Sequence, residues 1–214
     1  MARFNANDVE KYGNGGGAGY FSLKNDKDTA RVRFLYNGID DVVGYSVHQV
    51  QVGDGTRYVN CLRNYNDPME ACPLCQDHQF AAAKMFIPVY NIDEDKVQIW
   101  ERGKRFFSQI SSLCSRYAGR NPLCAQVFEI ERNGAKGDTN TTYAIYPIGT
   151  PDQTQLEDLP EAPEIVGTKI LDKSFEELEN YVNTGTFGNE EQPQVRRRSA
   201  EPQRRTPATG RNAF

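Results

Sequence analysis

Two β-like runs meet in 48-HQVQVGDGTRYVNC-61, and the way this stretch turns decides the fold around it. Val50 and Val52 alternate with polar residues on one side, and Thr56, Tyr58 and Val59 supply β-formers on the other. Between them lies an Asp-Gly pair, Asp54 and Gly55, the signature of a two-residue type I′ hairpin. With that pair as the loop, Gly53 faces Thr56, and counting outward sets His48 directly opposite Cys61 on one face, with Cβ atoms about 5 Å apart.

That separation suits two ligands of one ion, and two further thiols follow. Cys72 and Cys75 form C-P-L-C, the short spacing that aims two thiolates at a tetrahedral metal. The segment "MARFNANDVEKYGNGGGAGY" at 1–20 has no apolar signal core and no run is long enough for a membrane span, so an intracellular, reducing compartment without membrane contact is expected. There, clustered cysteines bind metal or do redox chemistry more often than they pair. Of the two histidines, His78 follows Cys75 by three residues, where a short helix is expected to begin in 77-DHQFAAAK-84, and would compete poorly for the same tetrahedron. The expected set is His48, Cys61, Cys72 and Cys75, a closed Cys3His shell holding one structural Zn2+. A redox C-x-x-C fits less well, because no βαβ pattern surrounds it and Cys61 is then unexplained. Cys114 and Cys124 read as small buried hydrophobes.

Around the hairpin, 30-ARVRFLY-36, 84-KMFIPVY-90, 96-KVQIWE-101, 125-AQVFEIE-131 and 142-TYAIYPI-148 read as further strands. One helix interrupts them: Phe106, Ile110, Leu113, Cys114 and Tyr117 share a face, with Gly119 as the stop. Short strands with one helix imply a mostly β fold, a small barrel or OB-like sheet. The 214 residues therefore divide into a flexible lead-in at 1–19, a core at 20–150 with a zinc subdomain at about 45–80, an acidic segment at 151–191 and a basic tail of disordered composition at 192–214. Within the acidic segment, 174-SFEELENYV-182 reads as a short helix capped by Ser174 with Glu177. The overall charge of −4 conceals this segregation: residues 152–191 carry a net −9 and residues 192–214 a net +5.

Nucleic-acid single strands are held by rings that stack on bases and cations that follow phosphates. "ARVRFLY", "RYVNCLRNY" and "IWERGKRFF" interleave both types, nominating Arg31, Arg33, Tyr58, Arg63, Tyr65, Trp100 and Arg102. Alternation sets Trp100 and Arg102 on one side of their strand, so Trp100 is the expected base platform, while Phe34, Phe106 and Phe128 read as core.

The order His48, Cys61, Cys72, Cys75 followed by "KVQIWERGKRFFSQI" resembles the helix-destabilising single-stranded DNA-binding proteins of T-even bacteriophages and their relatives. "YVNCLRNYNDP", "CPLC" and "FEIERNGAKGDTNTTYAIYPI" are similar as well, so the resemblance covers about residues 20–148. It implies an OB-fold with an inserted structural zinc subdomain, single-stranded DNA as ligand and self-association on it. By position it also implies DNA contacts from Trp100, Lys104 and Arg105. An acidic C-terminal segment contacting phage replication or recombination proteins, and a place in the cytoplasm of the infected bacterial host, complete the expectation. Two features depart from the T-even pattern: a basic Ser/Thr-containing N-terminal segment is missing, and the acidic stretch is followed by basic "RRRS" at 196–199. The other readings are a zinc-stabilised RNA-binding or protein-interaction module and a nuclease built on 93-DEDK-96, which reads better as a solvated hairpin tip.

Overall fold

The computed structural model describes residues 18–117, 122–150, 156 and 158–187. Among the described residues nine strands form one bent mixed sheet: β1 (Gly19–Tyr20), β2 (Thr29–Phe34), β3 (Gly44–Val52), β4 (Gly55–Asn60), β5 (Ala82–Asn91), β6 (Lys96–Gly103), β7 (Val127–Asn133), β8 (Thr142–Ile148) and β9 (Ile170–Leu171). In the same residues three α-helices join them: α1 (Pro73–Gln76), α2 (Phe107–Tyr117) and α3 (Phe175–Thr184). The mostly β expectation holds, and seven of the strands lie where alternation placed them. Gly119, the expected helix stop, the lead-in before Ala18 and the tail at 192–214 lie outside the described residues. Among the described residues no helix is long and apolar enough to cross a membrane.

β5 organises the sheet. One edge pairs with β6 along its length, while the other is shared, Ala82–Met85 running against β3 and Val89–Asn91 against β2. Pro88 sits at the changeover, where its carbonyl accepts from the Leu35 N–H at 3.0 Å. A strand residue aims N–H and C=O toward the same edge, so proline here removes a donor that would face the gap between two partners. Beyond β2 the sheet continues through β7 and β8, and beyond β3 through β4 and β9.

Both faces of the β5–β6 pair are buried, as the period of two requires of a strand with apolar residues at successive positions. Met85, Ile87, Val89 and Trp100 enter the main core with Phe34, Ile110 and Phe128. Phe86 and Ile99 enter a second cluster with Val47, Ile165 and Ile170. Part of the acid-rich stretch expected at 151–191 thus packs on the core. Ile165 and Ile170 cover the sheet, β9 pairs in parallel with β4, and α3 packs on α1. Its start is the expected capping box: the Glu177 N–H donates to Ser174 Oγ at 3.3 Å, and the Ser174 N–H donates to Glu177 Oε2 at 2.9 Å. Gly185 ends the helix at φ 75°, a left-handed conformation that suits glycine.

Candidate metal centre and nucleic-acid groove

The β3–β4 hairpin turns one position earlier than Asp54-Gly55 suggests. Gly53 takes a φ of 56°, and Val52 pairs with Gly55, leaving Gly53 and Asp54 as the loop. The stretch Gly-Asp-Gly contains two overlapping signals, Asp-Gly for a I′ turn and Gly-X for a II′ turn, and the second prevails. His48 therefore pairs with Val59 rather than Cys61, and the Cys61 N–H donates to the Ser46 carbonyl at 3.0 Å. Since the register moves by two residues and strand faces alternate every residue, Cys61 stays on the face of His48, as its diagonal neighbour.

Cys72 and Cys75 reach the same point from α1. Pro73 occupies its first position, where a missing N–H costs nothing, and an Asx-type turn upstream, with the Asn64 N–H donating to Asp67 at 2.8 Å, folds the connection back. The ligand atoms of His48, Cys61, Cys72 and Cys75 all lie within 4.8 Å of one another. His48 Nε2 stands 3.4 Å from Cys72 Sγ and 3.7 Å from Cys75 Sγ, and the sulfurs of Cys61 and Cys75 are 3.6 Å apart. A tetrahedral ion bound at about 2.3 Å by sulfur and 2.0 Å by nitrogen has S···N edges of about 3.6 Å and S···S edges of about 3.8 Å. These residues can therefore hold one metal ion. Burial, then the neighbouring thiols, push the Cys75 thiol up to about 12, and burial lowers the His48 pKa, so without a cation the cluster disfavours charge. His78 is exposed, at φ 59°, and stands apart from the cluster. The helix expected from there is absent: α1 ends at Gln76, and the run from Ala82 is strand β5.

Beneath the hairpin a third apolar cluster of Val50, Val59, Leu74, Cys72 and Cys75 is closed by Leu178 and Phe187 from the α3 region. The Tyr181 hydroxyl donates to the Gln51 carbonyl at 3.1 Å, and Asn60 accepts from the Lys173 N–H at 2.8 Å. The metal module therefore spans more than the expected 45–80, because its floor comes from residues 173–187.

Cys61 and Cys75 also line a groove of about 1500 Å³ between the metal module, the end of β6 and the β7–β8 connection. Arg63, Arg102, Lys104 and Arg105 border it with Tyr45, Tyr65, Phe80, Phe106 and Tyr143, and among the described residues no carboxylate lines it. Among the described residues none of the four cations has an ion pair. Tyr65 and Phe80 are the most open rings, at 94% and 73% exposure. Arg102 is held at the base, its guanidinium 3.9 Å from the Tyr143 ring centre and 4.6 Å from that of Trp100. Of the nominated residues, Arg63, Tyr65, Arg102, Lys104 and Arg105 thus line one groove from separate parts of the sequence. Phe80 was not expected, having been read as part of a helix.

Four nominated residues lie elsewhere. Trp100 is 1% exposed, packed edge-on against Phe21, Phe106 and Tyr143, so the expected base platform is a core residue that supports Arg102 from below. Arg33 is buried and donates to the carbonyls of Cys124 and Ala125. Arg31 pairs with Asp93 at 2.7 Å on the β5–β6 tip, and the other tip acids are tied as well, Glu94 to Lys96 and Asp95 to the Tyr90 hydroxyl. Tyr58 donates to Glu101 at 2.7 Å on the opposite face of β6. Compared with known proteins, this chain matches no protein family, and no curated protein matches it.

Proposed function

We infer that the protein binds single-stranded DNA in this groove with little sequence preference, and that its His48, Cys61, Cys72 and Cys75 hold one structural zinc ion. The observation that carries the reading is electrostatic. A chain of net charge −4 borders this groove with four cations and five aromatic rings and, among the described residues, no carboxylate. Rings stack on bases of any identity, and cations that hold no ion pair among the described residues take phosphates at no cost in broken ion pairs. Four protein ligands close the metal shell, so the metal's part is to hold Cys61, Arg63 and Tyr65 at the groove wall rather than to act on a substrate. The bent sheet, with β5 shared between β2 and β3, reads as an OB-type barrel. The resemblance to phage proteins gives the setting: coating and protecting single strands during DNA replication, recombination and repair in the infected bacterial cytoplasm, with self-association on the strand. Glu176 and Glu179, exposed on α3, are the surface offered to replication or recombination proteins.

Fluorescence anisotropy with labelled dT, rU and duplex oligonucleotides tests this reading at two salt concentrations. Tyr65→Ala and Phe80→Ala should each weaken dT binding by about 1–3 kcal/mol without moving the melting temperature. Lys104→Gln and Arg105→Gln should each lower the salt slope by about 0.7. Equal affinity for duplex DNA overturns the single-strand reading, and tighter binding of rU than of dT assigns the groove to RNA.

A further inference from the structure

On the far side of β6 from the groove lies a smaller polar pocket of about 260 Å³, bordered by Tyr20, Arg57, Tyr58, Glu101 and Lys169. Its sidedness follows from alternation, because Glu101 and Arg102 are neighbours and point to opposite faces. The parallel pairing of β4 with β9 creates its unusual feature. Tyr58 pairs with Ile170, so the preceding residues on the two segments, Arg57 and Lys169, stand side by side. Like charges in adjacent register destabilise a sheet. Among the described residues neither cation has an ion pair. Glu101, the one carboxylate at the rim among the described residues, is already engaged, accepting from Lys84 and from the Tyr58 hydroxyl, each at 2.7 Å. Lys169 is also partly withdrawn from water, with its Nζ 4.6 Å above the Tyr20 ring, and burial followed by repulsion from Arg57 lowers its pKa.

A fold that holds two cations together beside a half-exposed tyrosine has assembled the parts that take a phosphate and an attached planar base. We propose that Arg57 and Lys169 bind a phosphate group in this pocket, and that Tyr20 stacks on the base of a nucleotide carrying it, forming a nucleotide site separate from the groove. The site does not depend on what the groove binds. Its ligand bridges the two cations and removes the repulsion between them, so occupancy also fastens β9, and with it residues 163–171, to the sheet.

The test uses the full chain with its metal and follows melting temperature and backbone amide shifts at constant ionic strength. The probes are inorganic phosphate, dTMP, thymidine and a 5′-phosphorylated dT octamer. Phosphate and dTMP should raise the melting temperature and shift the amides of Arg57, Tyr58 and Lys169, dTMP at the lower concentration, whereas thymidine should do neither. Arg57→Gln with Lys169→Gln should raise the half-saturating dTMP concentration at least tenfold. Lys169→Glu should raise the melting temperature in phosphate-free buffer, by converting the repulsion into an ion pair, and should abolish the response to dTMP. A Tyr65→Ala, Arg105→Glu variant, impaired in the groove, should keep the dTMP response unchanged. If the octamer shifts the same amides in that variant, the source is a nucleotide of a strand; if only dTMP does, it is the free nucleotide. No response to phosphate or dTMP up to 10 mM (about the weakest affinity a functional site would show), or an equal response in the double variant, overturns the proposal.

Discussion

Leu178→Ala tests whether α3 belongs to the metal module. Leu178 is fully buried and packs with Val59, Leu74, Cys75 of α1 and Cys72 just before it. Truncation removes apolar side chain worth about 2 kcal/mol of transfer free energy. If the pocket keeps about 60 Å³ of the space, a cavity term of about 1.5 kcal/mol adds to it, for a total of about 3.5 kcal/mol. Because the leucine contacts the segment that carries Cys72 and Cys75, the loss should fall on the metal cage as well as on overall stability. Two assays separate these effects: urea unfolding monitored by circular dichroism, and the rate of metal transfer to a chromogenic chelator under native conditions. Unfolding stability should fall by about 2–5 kcal/mol, and metal transfer should quicken at least tenfold. Glu179→Gln, one residue on and exposed, should alter neither. A loss below about 1 kcal/mol, or a full loss of stability with metal transfer unchanged, would refute the coupling of helix to cage.

Trp100→Ala should lower stability by about 3–5 kcal/mol, read from a thermal or urea melt, because an indole surrounded by four aromatic rings leaves a large void. Trp100 emission should in turn change little when a strand enters the groove. Metal analysis of purified variants should give one equivalent of zinc for wild type and His78→Ala and none for His48→Ala or Cys72→Ser, with chelation lowering the melting temperature. Deleting residues from 152 onward should loosen the metal, since it removes α3, rather than simply free the groove of an acidic competitor. The Ser174 backbone N–H, followed by Lys173, holds the Glu177 carboxyl below its ordinary value of 4.5. A carboxylate with a depressed folded pKa gives its full stabilisation above the unfolded pKa and loses it as pH falls through the folded value. Protection of α3 amides from exchange should therefore drop below about pH 4.5, and Glu177→Gln should remove that dependence.

Much of this was readable beforehand, for reasons that individual residues make plain. Seven strands declared themselves through β-branched and aromatic runs, and α2 through its apolar face, because those signals are local. The ligand set was legible even though the hairpin register was not: an error of two residues preserves the face, whereas an error of one would have separated His48 from Cys61. Alternation paired Trp100 with Arg102 correctly but could not say that their face looks into the molecule, which depends on Phe21, just after β1, and Tyr143 of β8, both far away in sequence. Arg31 and Arg33 share a face by the same rule, yet only Arg33 lies under the turn at 123–125 that captures it. β9 has two residues inside an acidic, proline-broken stretch, too few for any period to show, so the return of the chain onto the hairpin was invisible. Phe80 was missed because 80-FAAAK-84 has helical propensity, which sheet pairing overrode from Ala82 onward.

The closure of the metal module by α3 has a consequence for how the chain acquires its structure. The contact between Tyr181 and Gln51 bridges 130 residues, so the hairpin and the four cluster residues leave the ribosome long before the helix that forms their floor. Until then Val59 and Leu74 face solvent as an open apolar surface, and their cover must be won by one of the most non-local contacts in the chain, a slow step by loop-closure entropy. Metal captured early would hold the hairpin and α1 together through that interval and leave α3 only a docking step. Starved of metal, the nascent chain would present an uncovered β-edge and a leucine-lined cleft, the surface on which unfinished chains associate.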